Sequence, residues 1–501
     1  MLHELIATQA LAQPDAIALR HEQRHEQRCL SYGQLQAHIE KLSAAIAASG
    51  QPGDRIALLA WNCIEFVEMI YAVPAAGRIL VPLNARLAPA ELIYQLQHSG
   101  ARYLVADPEL LQPLRAHPEF SADITCIELG PQYEQFRETA ERDTPLPPVA
   151  TDDPVWILFT SGSTGRPKGA VLTHASFLAG LESAALGRPV LPGDRYYYPF
   201  PLFHVAAHNV LLQHQYGAEV ILARSFDAAH TLHACRELQV TSLSLAPTMI
   251  AMLLRQPDFS PADLASVRTI GYGASAMPQT LLQQLLDETE VGLCQSFGMT
   301  ELSGSVSFLT VEDHRAAAAG ASHLLQSVGK PLPTAEVKLV DDCGKPVPAG
   351  DSGEIVVRAA QVMAGYWQDE DNTRKALIDG WLHTGDIGRF DSDGYLYIVD
   401  RKKDMILSGG ENVASREVEE VLRQHPAVVD CAVIGLPDDK WGETVCAAVV
   451  LSSETDDAAL AAHSRAQLAG YKTPRRWFRL EQLPLNASGK VDKPLLRQQL
   501  A

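Results

Sequence analysis

The sequence predicts an α/β protein. It has a large N-terminal α/β domain with parallel-rich sheets and a small β-barrel-like part, then a small C-terminal α+β domain. Short apolar runs at 55–60, 102–106 and 219–223 alternate with helical patterns such as 281–286, the rhythm of strand–helix–strand units. From residue 335 the texture changes to short strands and turns, at 335–340, 353–358 and 395–400. The 501 residues also exceed one ordinary core, so more than one domain is expected.

Near the N-terminus, the tandem His-Glu-Gln-Arg-His-Glu-Gln-Arg at 21–28 is a local duplication that reads as a solvated loop. Residues 130–152 are polar and proline-containing and read as a surface connection. It leads into Val-Trp-Ile-Leu-Phe at 155–159, a buried strand. That strand opens into Thr-Ser-Gly-Ser-Thr-Gly-Arg-Pro-Lys-Gly at 160–169. Glycines let backbone N–H groups approach phosphate oxygens, hydroxyls add donors, and Arg166 and Lys168 offset charge. The spacing does not fit the nucleotide P-loop.

Further on, Asp-Ser-Asp-Gly at 391–394 lacks the later acidic ligands of a calcium loop and reads as a turn. Arg-Lys-Lys-Asp at 401–404 reads as a charged linker between a domain over 1–400 and one over 401–501. Beyond it, Ser415 is the expected cap of a helix over 416–425. Its apolar face is Val418, Val421 and Leu422, acids crowd its first turns, and Pro426 follows its end. Strands are expected at 428–434 and 444–451.

A hydrophobic content of 47% and a charged content of 20% fit a globular protein. No apolar run approaches the ~18 residues of a membrane span. The N-terminus lacks the basic start and apolar stretch of a signal peptide, and the C-terminus is not a Ser-Lys-Leu address. The net charge of −19 argues against nucleic acid or an anionic membrane as partner. The 8 cysteines are scattered without a Cys-x-x-Cys pair, and read as reduced thiols of a cytoplasmic protein.

More segments follow in a fixed order. They are Gly-Tyr-Gly-Ala-Ser at 271–275, Gln-Ser-Phe-Gly-Met-Thr-Glu at 295–301 and Trp-Leu-His-Thr-Gly-Asp at 381–386. Tyr-Ile-Val-Asp-Arg at 397–401 then runs into Ser-Gly-Gly-Glu-Asn at 408–412, and Pro-Leu-Asn-Ala-Ser-Gly-Lys stands at 484–490. With the loop at 160–169, they make the chain resemble the adenylate-forming superfamily of acyl-CoA synthetases, luciferases and peptide-synthetase adenylation domains, over essentially its whole length. Trp-Gly-Glu at 441–443 and Pro-Leu-Phe-His at 201–204 make it most similar to the fatty-acyl-CoA and aryl-CoA ligases. Ala414 and Ser415 stand where many relatives have Tyr-Pro, a mark of subgroup.

The resemblance implies ATP, Mg²⁺ and coenzyme A as ligands. In such chemistry a carboxylate attacks the α-phosphorus of ATP, giving an acyl-adenylate and pyrophosphate. The two anions repel, so the site must neutralise charge. By resemblance, Thr160, Ser161, Gly162, Ser163, Thr164, Gly165 and Lys168 hold the β- and γ-phosphates. Thr300 contacts the α-phosphate and Glu301 helps hold Mg²⁺. Asp386 accepts from both ribose hydroxyls, with Arg401 nearby. Phe297, between Ser296 and Gly298, stacks on adenine, and Gly273, Ala274 and Ser275 form the opposite wall. Lys490 bridges carboxylate and α-phosphate.

For the second half-reaction, the resemblance implies a small C-terminal domain that rotates about a hinge at Lys403. Ser408, Gly409 and Gly410 would line the pantetheine tunnel, with Trp441 also on the CoA side. His204 would gate the junction of tunnel and acyl pocket. That pocket is walled by 205–210, 271–276 and 299–307, including Val205, Asn209, Gly271, Met299 and Ser303. No Lys or Arg falls in these segments, which argues against a dicarboxylate such as malonate. Small residues favour a medium- or long-chain fatty acid; His208, Asn209 and the serines leave an aryl acid with a phenolic hydroxyl open.

The implied activity is therefore ligation of a small carboxylic acid to coenzyme A. Two alternatives stay open. One is an enzyme that loads a carrier protein, although no phosphopantetheine-serine segment is fused here. The other is a non-catalytic nucleotide-binding module, which would predict damage at Lys490 or Glu301, and both are intact. A homodimer is also left open.

Overall fold

In the computed structural model, the described residues are all but 24–25, 141–143, 161–165, 274–278, 439 and 487–488, and the side chains of 22–27 and 279 are also left undescribed. Contacts group the chain into two compact units. The first is Met1–Glu336 with Val357–Leu382, and the second is Val337–Val356 with His383–Ala501. The linker at 401–404 lies inside the second unit. Among the described residues no helix is long and apolar enough to cross a membrane.

The first unit holds two sheets. In one, Ile17–Gln23, Glu219–Ala223, Arg195–Tyr198, Ser242–Leu245, Thr269–Gly273 and Gly292–Met299 run parallel in that order. Glu26–Ser31 adds antiparallel on one side, and Gly304–Leu309 followed by the short Lys330–Pro331 add antiparallel on the other. In the other, Thr125–Glu128, Tyr103–Ala106, Arg55–Leu59, Ile79–Pro82 and Pro154–Thr160 are parallel. Runs such as Arg55–Leu59 and Ile79–Pro82 are apolar almost throughout because helices cover parallel sheets on both faces.

The apolar run before the phosphate-loop segment is the strand Pro154–Thr160, with Val155, Trp156, Ile157 and Leu158 buried. Each such side chain contributes about 1.5–3 kcal/mol by leaving water. Trp156 packs edge-on against Phe177 of the helix His174–Gly187, with ring centres 4.8 Å apart. The strand pairs antiparallel with Lys168–Thr173. Thr173 starts the following helix by accepting from the Ser176 N–H at 3.1 Å.

Two expectations change. The duplication at 21–28 is not all loop: 21–23 and 26–28 lie in the antiparallel strands Ile17–Gln23 and Glu26–Ser31, with His21 opposite Arg28, while 24–25 lie outside the described residues. Alternating His, Gln and Arg fit a pairing strand as well as a loop, and the ladder decides. The helix expected over 416–425 runs Ser415–Arg423, and Ser415 is its first residue, not its cap. The buried Asp400 carboxylate takes over the cap, accepting from the Ser415 N–H, while the Ser415 hydroxyl accepts from Lys493 at 2.6 Å. Val418 and Leu422 bury the apolar face as expected, joining Val433, Val445 and Ala447 in the core of the second unit. Its sheet pairs Val428–Asp438 with Gly442–Leu451 antiparallel. All 8 cysteines are free thiols.

Candidate functional site

In the first unit, a carboxylate is the centre of one cluster. Glu301 sits on the short turn Thr300–Leu302, just after the strand Gly292–Met299. It is buried, and its Oε1 accepts from the Tyr366 hydroxyl at 2.9 Å and from the Thr160 hydroxyl at 3.3 Å. The Met363 N–H donates to its backbone carbonyl at 2.9 Å, fixing the turn. Burial and the Glu301 charge push the Tyr366 phenol well up, so it stays a donor. Lys168 lies over the Tyr366 ring, 5.1 Å from its centre, and donates to Asn372 at 2.8 Å. Thr160 and Lys168, from one segment, and Glu301, far from them in sequence, therefore meet around Tyr366. Nothing in the sequence marked Tyr366. Ser161, Gly162, Ser163, Thr164 and Gly165 lie outside the described residues, as do Ala274 and Ser275.

Gly273 ends the strand Thr269–Gly273 and pairs with Ser296, while Phe297 and Gly298 follow on the adjacent strand across a register shift. Phe297 is half-buried. Val205 and Asn209 lie on consecutive short helices, and the Asn209 amide donates to the Ala206 carbonyl at 3.0 Å. His204 stands just before them, edge-on to Phe203. Met299 is half-buried, and the fully buried Ser303 hydroxyl turns to Ser176 at 3.2 Å.

One finding corrects the reading of the acyl walls. They carry no Lys or Arg of their own, but Arg188 reaches them from the end of the helix His174–Gly187. A Cβ on Gly271 would lie 1.8 Å from its Nη1, so Gly271 makes room for the guanidinium. Arg188 was missed because it lies outside every segment that carries a motif.

The second unit holds the other set. Asp386 and Arg401 face each other across the strands Trp381–Phe390 and Leu396–Arg401. The Arg401 Nε donates to Asp386 Oδ1 at 2.7 Å. Asp386 Oδ2 is buried with no hydrogen-bond partner among the described residues. Burial pushes the Asp386 carboxyl up, against Arg401 and Lys490. Lys490 sits in a tight turn in which Asn486 N–H donates to the Lys490 carbonyl at 2.7 Å and Lys490 N–H to Asn486 Oδ1 at 3.1 Å. The residue as a whole is exposed, yet crowding of its ammonium and the Arg401 charge hold it below its ordinary value, with Asp386 opposing. Asp386, Arg401 and Lys490 thus sense one another electrostatically.

A third group surrounds Trp441. Gly409 has φ +64° and a Cβ there would lie 2.9 Å from the Trp441 ring, so glycine lets the two approach. Gly410 is also left-handed, at φ +84°. Arg475 stacks 4.2 Å from the Trp441 ring centre and donates to the Ser408 hydroxyl at 3.2 Å, while Lys440 lies 4.7 Å from the same ring. Sequence reading marked Ser408, Gly409, Gly410 and Trp441 but not Arg475, whose place follows from the strand Arg476–Arg479 pairing with Gly442–Leu451. Lys403 is exposed, on the turn Lys402–Asp404.

Residues 6–367 match the AMP-binding enzyme family, and residues 417–490 match the AMP-binding enzyme C-terminal domain. A feruloyl-CoA synthase of Amycolatopsis is 38% identical over 483 residues, 95% of each chain. A fatty acid–[acyl-carrier-protein] ligase of Streptomyces coeruleorubidus is 34% identical over 94% of this chain and 92% of its own. The structure of o-succinylbenzoate coenzyme A synthetase from Bacillus subtilis, in complex with ATP and magnesium ion, is 31% identical with a TM-score of 0.86, over 99% of this chain and 98% of that one. The chain belongs to the AMP-binding enzyme family and is an AMP-forming carboxylic acid–CoA ligase.

Proposed function

We propose that the enzyme activates its acid on MgATP with the residues just placed, and passes the acyl group to coenzyme A. The observation that carries the nucleotide assignment is Asp386: one oxygen is held by Arg401 and the other is buried without a donor among the described residues. A buried acceptor left unpaired costs about 1–3 kcal/mol, and a ribose hydroxyl is a donor that relieves it. Lys490 neutralises charge between the attacking carboxylate and the α-phosphate, and Thr300 assists there. Phe297, half-buried near the end of its strand, would stack on adenine.

Glu301 is the residue that would hold Mg²⁺. An ion that arrives with the phosphates keeps few protein ligands. Mg²⁺, when bound, supplies neutralisation of the phosphate charge. Tyr366 and Thr160 orient Glu301 through its Oε1, leaving Oε2 for the ion. Tyr366→Phe is therefore expected to raise the Mg²⁺ concentration for half-maximal activity about 10-fold or more, the scale of losing a partner behind a ligand. KM for the acid should not change. An unchanged Mg²⁺ titration would remove Tyr366 from this role.

Trp441, Arg475, Lys440 and the narrow Gly409 support a site for the coenzyme A thiol and its anionic handle. The carrier-protein relative favours a second reading, in which a phosphopantetheinyl protein replaces free coenzyme A. The acids named for the relatives differ, and Arg188 beside Gly271 speaks for an oxygen-bearing acid over a long alkyl chain. The reading is tested by acid-dependent exchange of pyrophosphate into ATP without coenzyme A. Exchange is expected with Mg²⁺, to vanish with chelator, and to return when Mg²⁺ is restored. Exchange that survives complete chelation, or that ignores the acid, would refute it.

A further inference from the structure

The guanidinium of Arg188 is a buried charge beside the acyl walls with a donor left over. Arg188 is only 8% exposed. Its Nη1 donates to the Ser244 hydroxyl at 2.9 Å and its guanidinium lies over Tyr196, 5.3 Å from the ring centre. Its Nη2 is buried with no hydrogen-bond partner among the described residues. No ion pair among the described residues includes Arg188. A buried, unpaired cation is costly, and one with a donor left over is a place where an anion or a strong acceptor binds well.

Among the described residues, no carboxylate forms an ion pair with Arg188, and the groups nearest it are neutral or engaged elsewhere. Ser244, Gly271 and Cys294 are register partners on three neighbouring parallel strands, so they share a face. Burial pushes the Cys294 thiol up to about 12, so it stays neutral. Burial and the Arg188 charge lower His208 to about 4, so it is neutral as well, and its ring lies 3.6 Å from the open side of Gly304. The Asp313 carboxylate accepts from Thr310 at 2.8 Å. Tyr196 donates to Ser244 at 2.8 Å, which leaves Ser244 and Arg188 in one linked pair.

Arg188 also lies where the acid is expected. The side of Gly271 facing the guanidinium is the side shared with Gly273, two residues along the same strand, or about 7 Å. We propose that Arg188, through its unpartnered Nη2, reads an oxygen acceptor at the far end of the acid, so that the substrates are short acids bearing a distal carboxylate or phenolic oxygen. The proposal rests on the ligase reading and gives its acid a chemical class. It replaces the expectation of a medium- or long-chain fatty acid: a methyl-ended chain laid against Arg188 would leave the buried donor unpaired, whereas an oxygen acceptor would pair it.

The test is a panel of acids in pyrophosphate exchange and in acyl-CoA formation. The acids are phenylpropenoic and short alkanoic acids matched in length, ending in methyl, hydroxyl or carboxylate. For the wild type, kcat/KM should be about 10-fold or more higher for an oxygen-ended acid than for its methyl-ended match. Carboxylate against phenol ranks the two sources of that oxygen. Arg188→Met should erase the preference, chiefly through KM of the acid, with KM for ATP unchanged. Arg188→Lys keeps the charge and should keep part of the preference. If Arg188→Met does not fold, the wild-type panel with Arg188→Lys still decides. Equal use of methyl-ended acids by the wild type, or a preference that survives Arg188→Met, overturns the proposal and leaves the ligase reading intact. Exchange with no acid at all overturns the ligase reading, and the proposal with it.

Discussion

Replacing Lys490 with alanine is expected to lower acyl-adenylate formation at least about 10²-fold, the scale of losing one charge-stabilising group in a preorganised site. The turn that presents it, closed by Asn486 through backbone and side chain, does not depend on the ammonium, so the fold should be kept. Thioester formation from presynthesised acyl-adenylate should largely survive, because no charge then has to be neutralised at the α-phosphorus. The direction of its pKa adds a second readout. Crowding and Arg401 hold the ammonium below the ordinary lysine value, so adenylation should fall on the alkaline side earlier than for an ordinary lysine. Rapid-quench measurement of acyl-adenylate checks both. Adenylation near the wild-type rate in Lys490→Ala would take the role away from this residue.

Lys403→Pro is expected to separate the two half-reactions. Lys403 is exposed on the turn Lys402–Asp404, so a change there removes no core packing. Proline fixes φ near −65° and disfavours a helical residue before it, which stiffens a linker proposed to take two conformations. Acid-dependent pyrophosphate exchange should persist while acyl-CoA production collapses by about 10²-fold or more, if a conformational step gates the second half-reaction. General misfolding would depress both together, and circular dichroism with thermal melting distinguishes that case. Equal loss of both half-reactions in a folded variant, or loss of neither, would remove the hinge from residue 403.

Much of this was legible in the sequence because motif residues cluster locally. Asp386 and Arg401 sit at strand positions that a carboxylate and a guanidinium can share, and their motifs announced them. Ser408, Gly409 and Trp441 were legible for the same reason. What escaped was long-range. Tyr366 and Arg475 matter through partners brought to them by strand pairing, and neither lies in a distinctive segment. Arg188 follows a helix with no motif, and only the sheet register places Gly271 in front of it. The cap at Ser415 failed for a similar reason: local pattern chose the nearest hydroxyl, whereas Asp400 from the preceding strand supplied the acceptor. At 21–28 the polar alternation carried no period that could separate strand from loop, and the ladder with its neighbours settled it.

The most direct test of the account is the product balance of a single turnover with MgATP, coenzyme A and an accepted acid, read by phosphorus NMR and by thioester analysis. The account predicts AMP, pyrophosphate and acyl-CoA in equal amounts, with acyl-adenylate accumulating when coenzyme A is left out. Release of ADP and phosphate, or transfer of the acyl group to a carrier protein but never to coenzyme A, would contradict it.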